Sequence, residues 1–322
     1  MRAIVVTAPG GPEVLAVSDV PEPEPGQGQV LVRLAASGIN FVDVYQRTGV
    51  YPVPTPFTLG TEGAGEVVKL GPGVTTFAPG DRVAWSMWLG SHAEYAAVPA
   101  DRLVRVPDGV SEADAAAVLL QGMTAQYLTA TTYPVERGDW VLVHAAAGGA
   151  GLLLTQLATA RGGRVVGTVS TPEKAELARA AGAEQIVMYT EVPDLTAALL
   201  EATGGARYAV AYDGVGRDTF DHSLAVLRPR GMLALYGAAS GPVPPLDLQR
   251  LNAGGSLFAT RPSLAHYIAD RAELDWRPAR CSRPWRPARC GSASAARTRW
   301  RRRPRRTGRW RVGRAPGSCC SQ

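Results

Sequence analysis

The stretch Trp140 to Gly151, WVLVHAAAGGAG, sets small residues in an A-x-x-G-x-x-G spacing at Ala145, Gly148 and Gly151. A turn of alanine and glycine lets backbone N–H groups approach a pyrophosphate, because no side chain intervenes, and a helix starting there adds its positive N-terminal end. The candidate phosphate-binding residues are therefore Ala147, Gly148, Gly149, Ala150 and Gly151. Against the commoner G-x-G-x-x-G, the first glycine has become Ala146. A small-residue turn from strand to helix also serves packing alone, so the string by itself leaves both readings open.

The next chemically informative stretch is GTVSTPEK, Gly167 to Lys174. An NAD site places Asp or Glu about 20 residues after the glycine turn, where it holds the ribose hydroxyls. No acid stands at the expected strand end here. Ser170 and Thr171 offer hydroxyls and Lys174 a cation, a set that suits a 2′-phosphate and so NADPH. The alternative is a plain helix start, with Thr171 as cap, Pro172 in the first position and Lys174 solvated. The two are compatible, since a capped helix start is itself an anion site.

The elements around these residues supply the context. From Trp140 onward, strand and helix patterns alternate for more than 100 residues. Strands are predicted at Trp140–Val143, Arg164–Val169, Gln185–Met188, Tyr208–Tyr212, Met232–Tyr236 and Ser256–Thr260. Helices are predicted near 151–161, 172–181, 194–202 and 219–227. This is the pattern of a doubly wound parallel α/β sheet, with a ligand at the carboxyl ends of the strands and the glycine turn after the first of them. Residues 1–110 read instead as a β-rich unit, with alternating runs at Ala3–Thr7, Val30–Ala35, Gly65–Leu70 and Arg82–Trp85 between Pro/Gly-rich joints. A helix capped by Ser111 follows, and the domain joint is expected close to it.

Composition narrows the function classes. The formal charge of +6 is concentrated at one end: residues 277–322 hold 15 arginines and no Asp, Glu or Lys. The first 276 residues carry 19 basic against 28 acidic side chains, a net of −9. All four cysteines, Cys281, Cys290, Cys319 and Cys320, lie in the same tail, and the four histidines are scattered. No disulfide framework, cysteine-ligated zinc or other metal site is expected in the body. No apolar run approaches the ~20 residues of a membrane span, and the N-terminus lacks a signal-peptide layout. The expectation is a soluble cytoplasmic protein.

SGINFVDVYQRTGVY at 37–51, LGTEGAGEV at 59–67, GDRVAW at 80–85, the HAAAGGAG turn, YDGVGRDTF at 212–220 and SLFATRPSL at 256–264 together resemble the quinone oxidoreductase branch of the medium-chain dehydrogenase/reductase superfamily, the ζ-crystallin-like proteins. The resemblance covers nearly all of residues 1–276. It implies a GroES-like β-barrel catalytic domain at 1–122, a Rossmann NADPH-binding domain at 123–262, and a return toward the first domain at 263–276. The cofactor would lie in the cleft between the domains. Zinc-dependent relatives carry ligands at positions corresponding to Asn40 and Thr61, so the resemblance implies a zinc-free reductase.

The resemblance also puts Asn40, Asp43 and Tyr45 in the loop facing the nicotinamide, as candidate catalytic residues. Asn40 would orient the ring carboxamide or donate to a substrate oxygen where negative charge develops, and Tyr45 would donate to the same oxygen or stack on a flat substrate. The apolar spacing of SGINFVDVYQR fits a helix, so Tyr45 also reads as core. Arg47 and Tyr51 are candidates for the pocket rim. Thr124 would meet the nicotinamide side of the cofactor, or bond only its own helix. Tyr189 would cover the adenosine phosphate beside Lys174. Gly237 and Ala238 would allow close approach of the cofactor. Asn252 and Arg261 flank the sixth strand, where Arg261 meets a phosphate or is a surface charge. A homodimer through that strand is implied.

Residues 277–322 contain no Leu, Ile, Phe, Tyr or Met and cannot build the helix and closing strand implied for them. With permissible codons, PARCSRPWRPARCG at 278–291 becomes GEVFEAMAAGEVR when read from the third nucleotide, an amphipathic pattern. The tail is thus expected to be disordered or the product of a frameshift near Trp276. A basic arm with tryptophans for stacking on nucleic acid is the weaker reading. For the body, the expected activity is NADPH-dependent reduction of quinones. Enone or alkenal reduction and non-catalytic NADPH binding are the alternatives.

Overall fold

The computed structural model describes residues 1–281, with side chains as far as Pro278. These residues form two units: Met1–Tyr127 with Ser263–Cys281, and Leu128–Pro262.

The first unit contains β1 (Arg2–Val6), β2 (Leu15–Asp19), β3 (Gln29–Ser37), α1 (Phe41–Arg47), β4 (Phe57–Thr58), β5 (Glu62–Leu70), β6 (Arg82–Ser86), β7 (Tyr95–Pro99), β8 (Val104–Arg105) and α2 (Glu112–Tyr127). Five strands pair antiparallel in the order β7-β3-β5-β6-β8, and β2-β1-β4 form a smaller sheet. Alternation along β3 sends Val30 and Val32 into a core with Val67, Val83, Trp85, Ala96 and Val98. Ser111 caps α2 by accepting the Asp114 N–H at 3.1 Å, and Glu112 and Asp114 place negative charge in its first turn.

The second unit contains β9 (Trp140–Val143), α3 (Gly149–Ala160), β10 (Arg164–Val169), α4 (Pro172–Ala180), β11 (Gln185–Met188), α5 (Leu195–Glu201), β12 (Tyr208–Asp213), α6 (Phe220–Val226), β13 (Leu227–Leu235), α7 (Gln249–Ala253) and β14 (Phe258–Thr260). All six strands are parallel, in the order β11-β10-β9-β12-β13-β14. This is the doubly wound arrangement that the sequence predicts. The strand order reverses at β9, between β10 and β12, which opens the ligand crevice at the carboxyl end of β9. Every residue of β12 is buried, as befits a central strand with helices on both faces.

After β14 the chain returns to the first unit as α8 (Leu264–Tyr267) and α9 (Arg271–Cys281). The ordered body was expected to end at residue 276, and here the structure corrects the sequence reading. α9 continues to Cys281, and Arg277 is fully buried. Its guanidinium donates from Nε to the Tyr267 carbonyl, from Nη1 to Gln126 Oε1 and from Nη2 to Glu273 Oε1, each at 2.7 Å. Its central carbon lies 4.5 Å from the Trp276 ring centre. Composition treats every arginine of the tail as solvated, whereas the partners of this one come from α2, α8 and α9. Residues 282–322, and with them the expectation of a disordered or frame-shifted arm, lie outside the described residues. Among the described residues no helix is long and apolar enough to cross a membrane.

Arg277→Ala leaves the Gln126 oxygen without its charged donor inside the unit. We expect a loss of about 2–4 kcal/mol, seen as a lower guanidinium midpoint, with Arg277→Lys recovering only part of it. An unchanged midpoint would show that the Arg277 hydrogen bonds contribute nothing to stability.

Candidate functional site

The glycine turn is built by close approach. Ala145 adopts a φ of +50°, its N–H meets Thr168 Oγ1 at 3.3 Å, and its carbonyl accepts the Gly148 N–H at 2.8 Å. A Cβ on Gly151 would stand 2.2 Å from the Ala145 oxygen, so α3 passes the turn at a distance only glycine permits. Ala146, where the commoner motif has its first glycine, is fully buried. It is accommodated because Gly167 on β10 has no side chain: a Cβ there would lie 2.7 Å from that of Ala146. The room for the Ala146 methyl is thus supplied by a glycine on the neighbouring strand. In the first turn of α3 the N–H groups of Gly149, Ala150 and Gly151 have no carbonyl one turn back within the helix. They and the Ala147 N–H are the backbone donors of this turn, the groups with which it could hold an anion.

Beneath this turn runs a buried polar chain that links β9, β10, β12 and α6. Ser223 Oγ donates to Asp213 Oδ2 at 3.0 Å, so it must accept from His144 Nε2–H, also at 3.0 Å. His144 Nδ1 then accepts the Thr168 hydroxyl at 3.0 Å. Burial pushes the His144 pKa down, and the nearby Asp213 carboxylate offsets this only in part. The ring is therefore neutral. Asp213 itself accepts from the N–H groups of Val215 and Gly216 and from the Thr219 hydroxyl, which replace its water.

At the carboxyl end of β10, Thr171 caps α4 by accepting the Lys174 N–H, and Lys174 Nζ donates to Ser170 Oγ at 2.9 Å. The Tyr189 N–H donates to the Val169 carbonyl at 3.1 Å, which brings the half-exposed tyrosine beside this pair. Glu173 is exposed, and hydrogen bonds from its own N–H and the Thr171 hydroxyl lower its pKa. Gly237 and Ala238 follow β13, where a Cβ on Gly237 would lie 2.5 Å from the Gly214 oxygen. Asn252 lies exposed on α7 and holds the next turn through its carbonyl, which accepts the Gly255 N–H at 3.0 Å. Arg261 follows β14 directly and is exposed.

The first unit holds a second cluster. Asn40 precedes α1, and its N–H donates to Asp43 Oδ2 at 2.8 Å. The Asn40 side chain donates from Nδ2 to Glu62 Oε2 at 2.7 Å and accepts from Gln121 Nε2 at 3.2 Å. Asp43 also accepts the Thr61 hydroxyl at 3.1 Å, and burial raises its pKa against the opposing pull of His92. The rings of Tyr45 and Tyr51 lie 5.1 Å apart, and Phe41 meets Tyr45 edge-on at 5.1 Å. Arg47 Nε donates to the Gly10 carbonyl at 3.2 Å. Thr124 donates to the Leu120 carbonyl of its own helix at 2.8 Å.

Comparison with known proteins gives this arrangement a family. The GroES-like domain of alcohol dehydrogenases matches residues 26–108, and the family described as zinc-binding dehydrogenase matches residues 149–271. A quinone oxidoreductase of Pseudomonas aeruginosa is 47% identical over 84% of each chain. The chain belongs to the quinone oxidoreductase family. That family lies within the medium-chain dehydrogenase/reductase superfamily, and its members are oxidoreductases. A 2-haloacrylate reductase from a Burkholderia species is 43% identical over 85% of each chain. The solved Escherichia coli quinone oxidoreductase complexed with NADPH aligns at a TM-score of 0.86 and 42% identity, covering 88% of this chain and 87% of that one.

The zinc in the matching family's description does not suit this member of the quinone oxidoreductases. Asn40 and Thr61 bring a neutral amide and a hydroxyl, neither of them a zinc donor, and both are engaged by Glu62 and Asp43. Among the described residues no group of three or more His, Cys, Asp or Glu could hold a metal ion. Sequence reasoning brought Asn40 together with Asp43, and Ser170 with Lys174, but did not single out Glu62, Gln121 or the His144 chain. The detectable signal was one small residue, Gly38, where a Cβ would lie 2.1 Å from Glu62 Oε2.

Two outcomes follow from this geometry. Gly151→Ala forces the turn apart, and we expect a loss of about 1–3 kcal/mol together with weakened cofactor binding, measured by urea unfolding and titration. For His144, the folded pKa lies below the ordinary 6.5, so its contribution is intact above pH 6.5 and is lost as pH falls through the lowered value. Wild-type stability should thus fall from pH 7 to pH 5 more steeply than that of His144→Gln, by up to about 1.4 kcal/mol per pH unit. Parallel curves would mean that folding leaves the His144 pKa unshifted.

Proposed function

We propose that this chain reduces quinones with NADPH as hydride donor, without zinc. The observation that carries the reading is the Ser170–Lys174 pair at the capped start of α4, with Tyr189 beside it. A 2′-phosphate placed there gains a cation, a hydroxyl and the positive end of a helix. The exposed carboxylate of Glu173, drawn onto its own N–H and Thr171, is kept from accepting ribose hydroxyls in the manner of an NAD site. The second unit is then the cofactor-holding domain, and the N–H groups of Ala147 and Gly149 to Gly151 hold the pyrophosphate. Gly237 and Ala238 leave room for the cofactor, and Asn252 and Arg261 stand by its far side.

The first unit supplies the acceptor side. NADPH, when bound, supplies the hydride. Asn40 directs its amide at the ring carboxamide or at the oxygen that gains charge, and Asp43 sets the start of α1 by holding the Asn40 N–H. The tilted Tyr45 and Tyr51 rings present faces to a flat acceptor, and Arg47 braces the end of α1 against Gly10. Thr124 keeps its hydroxyl on its own helix and has an acceptor lone pair left for the cofactor. The kinship with 2-haloacrylate reductase supports a second acceptor class, conjugated acids and enals, which need the same hydride delivery. The reading also takes the protein to be cytoplasmic and dimeric through the edge of β14, where Phe258 is exposed.

Lys174→Ala tests the carrying observation. The KM for NADPH should rise about tenfold, the worth of one charge-assisted contact, while the KM for NADH stays unchanged. A wild-type preference for NADH would overturn the phosphate site. Initial rates with a quinone, an enal and 2-chloroacrylate under NADPH separate the acceptor classes.

A further inference from the structure

Glu62 opens β5 and is fully buried. Its Oε2 accepts from Asn40 Nδ2 at 2.7 Å and its Oε1 from the Leu120 N–H at 2.6 Å. A Cβ on Gly38 would lie 2.1 Å from Oε2, so the chain gives up a side chain at position 38 to seat this carboxyl. The groups facing it carry no compensating cation in contact. α1 presents Asp43, of the same sign, and His92 lies beyond it, acting on Asp43. β3 presents Ser37, β6 presents Ser86 opposite Glu62 in the ladder, and α2 presents Leu120 N–H and Gln121. Burial, with Asp43 adding to it, pushes the Glu62 pKa up to about 8 against the hydrogen bonds from Asn40 and from the Leu120 and Leu119 backbone.

We propose that Glu62 is a positioning residue whose proton sets which way the Asn40 amide faces. An ionised carboxylate only accepts, so Asn40 must offer Nδ2 to Glu62 and Oδ1 to Gln121. A protonated carboxyl must donate from Oε2, because the Leu120 N–H already occupies Oε1. Asn40 then turns its amide over to present Oδ1 to Glu62, its Nδ2 faces Gln121, and Gln121 turns to accept with Oε1. The proton lost from Glu62 goes to solvent, and no other covalent bond changes. Each proton state thereby fixes whether Asn40 shows a donor or an acceptor on its Gln121 side. This rests on the proposed role of Asn40 toward the cofactor or acceptor for its effect on turnover, but the amide reversal itself does not.

The test uses ¹⁵N-labelled full-length protein without cofactor, titrated from pH 6 to 9.5 while the side-chain amide signals of Asn40 and Gln121 are followed. Both should move with one inflection near pH 8, and Glu62→Gln, which cannot ionise, should abolish it. In wild-type protein with NADPH and a quinone, kcat/KM should bend at the same pH, with the change in kcat rather than KM, and Glu62→Gln should be flat there. Amide signals that do not titrate in the wild type overturn the proposal, as does an inflection that survives in Glu62→Gln, which would assign it to His92 or Asp43. Should Glu62→Gln fail to fold, the wild-type carboxyl ¹³C signal of Glu62 decides, since a shift complete below pH 6 refutes it. Titrating amides with no bend in turnover would leave the switch standing and refute only the proposed role of Asn40.

Discussion

The carboxyl ends of three parallel strands in the second unit are tied together by hydrogen bonds that contain no unpaired partner. Thr168 on β10, His144 after β9, Asp213 at the end of β12 and Ser223 on α6 form one chain, and it closes only when the histidine is neutral with its proton on Nε2. The same Thr168 hydroxyl receives the Ala145 N–H, and the Thr168 carbonyl receives the Ala146 N–H at 3.0 Å. The left-handed φ of Ala145, which costs a non-glycine residue about 1 kcal/mol or more, is held from below by these bonds. The conformation of the turn is thus fixed by hydrogen bonds from β10.

The two polar clusters solve burial differently. In the second unit, four donors surround Asp213 and the histidine stays uncharged, so nothing there needs to change near neutral pH. In the first unit, Glu62 and Asp43 are both buried, each raised in pKa, with an amide and a backbone N–H between them rather than a cation. Linkage gives the first arrangement a stability that declines in acid and the second one that declines as pH rises from 4.5 through about 8. A cofactor platform benefits from the fixed arrangement, whereas a site that must meet developing charge can use the labile one.

The division between what the sequence discloses and what it hides follows the same physics. Parallel strands covered on both faces read as short apolar runs between helical periods, so all six strands of the second unit were legible from β9 to β14. In the first unit β2 is half exposed, β4 and β8 are two residues long, and the alanines of β7 blur its alternation. None of these carries a periodic signal. Lys174 was visible because a helix start fixes its spacing from the glycine turn. Glu62 was not, since an acid between glycines in GTEGAG reads as a solvated turn until Leu120 and Asn40 arrive from distant parts of the chain. Glu173 marks the limit of reading NADPH from a missing acid: an acid lies nearby, but in the first turn of α4 rather than at the end of β10, with its carboxylate held by its own N–H and the Thr171 hydroxyl.

One helix makes the chain's return matter to the cluster around Asn40. α2 gives its Leu120 N–H to Glu62 and its Gln121 amide to Asn40, and one turn later its Gln126 receives Arg277 from α9. Tyr127, the last residue of α2, stacks on Tyr267 of α8 with ring centres 4.1 Å apart. The far end of the helix is therefore clamped by residues 267–277 while its middle sets the hydrogen bonds of the site. A rotation of α2 by a fraction of a turn would withdraw both donors at once, leaving the buried Glu62 with Asn40 as its side-chain partner and Asn40 Oδ1 without Gln121. Arg277 is for this reason better understood as the last member of the site's support than as the first residue of a basic tail. The boundary where composition changes thus lies inside α9.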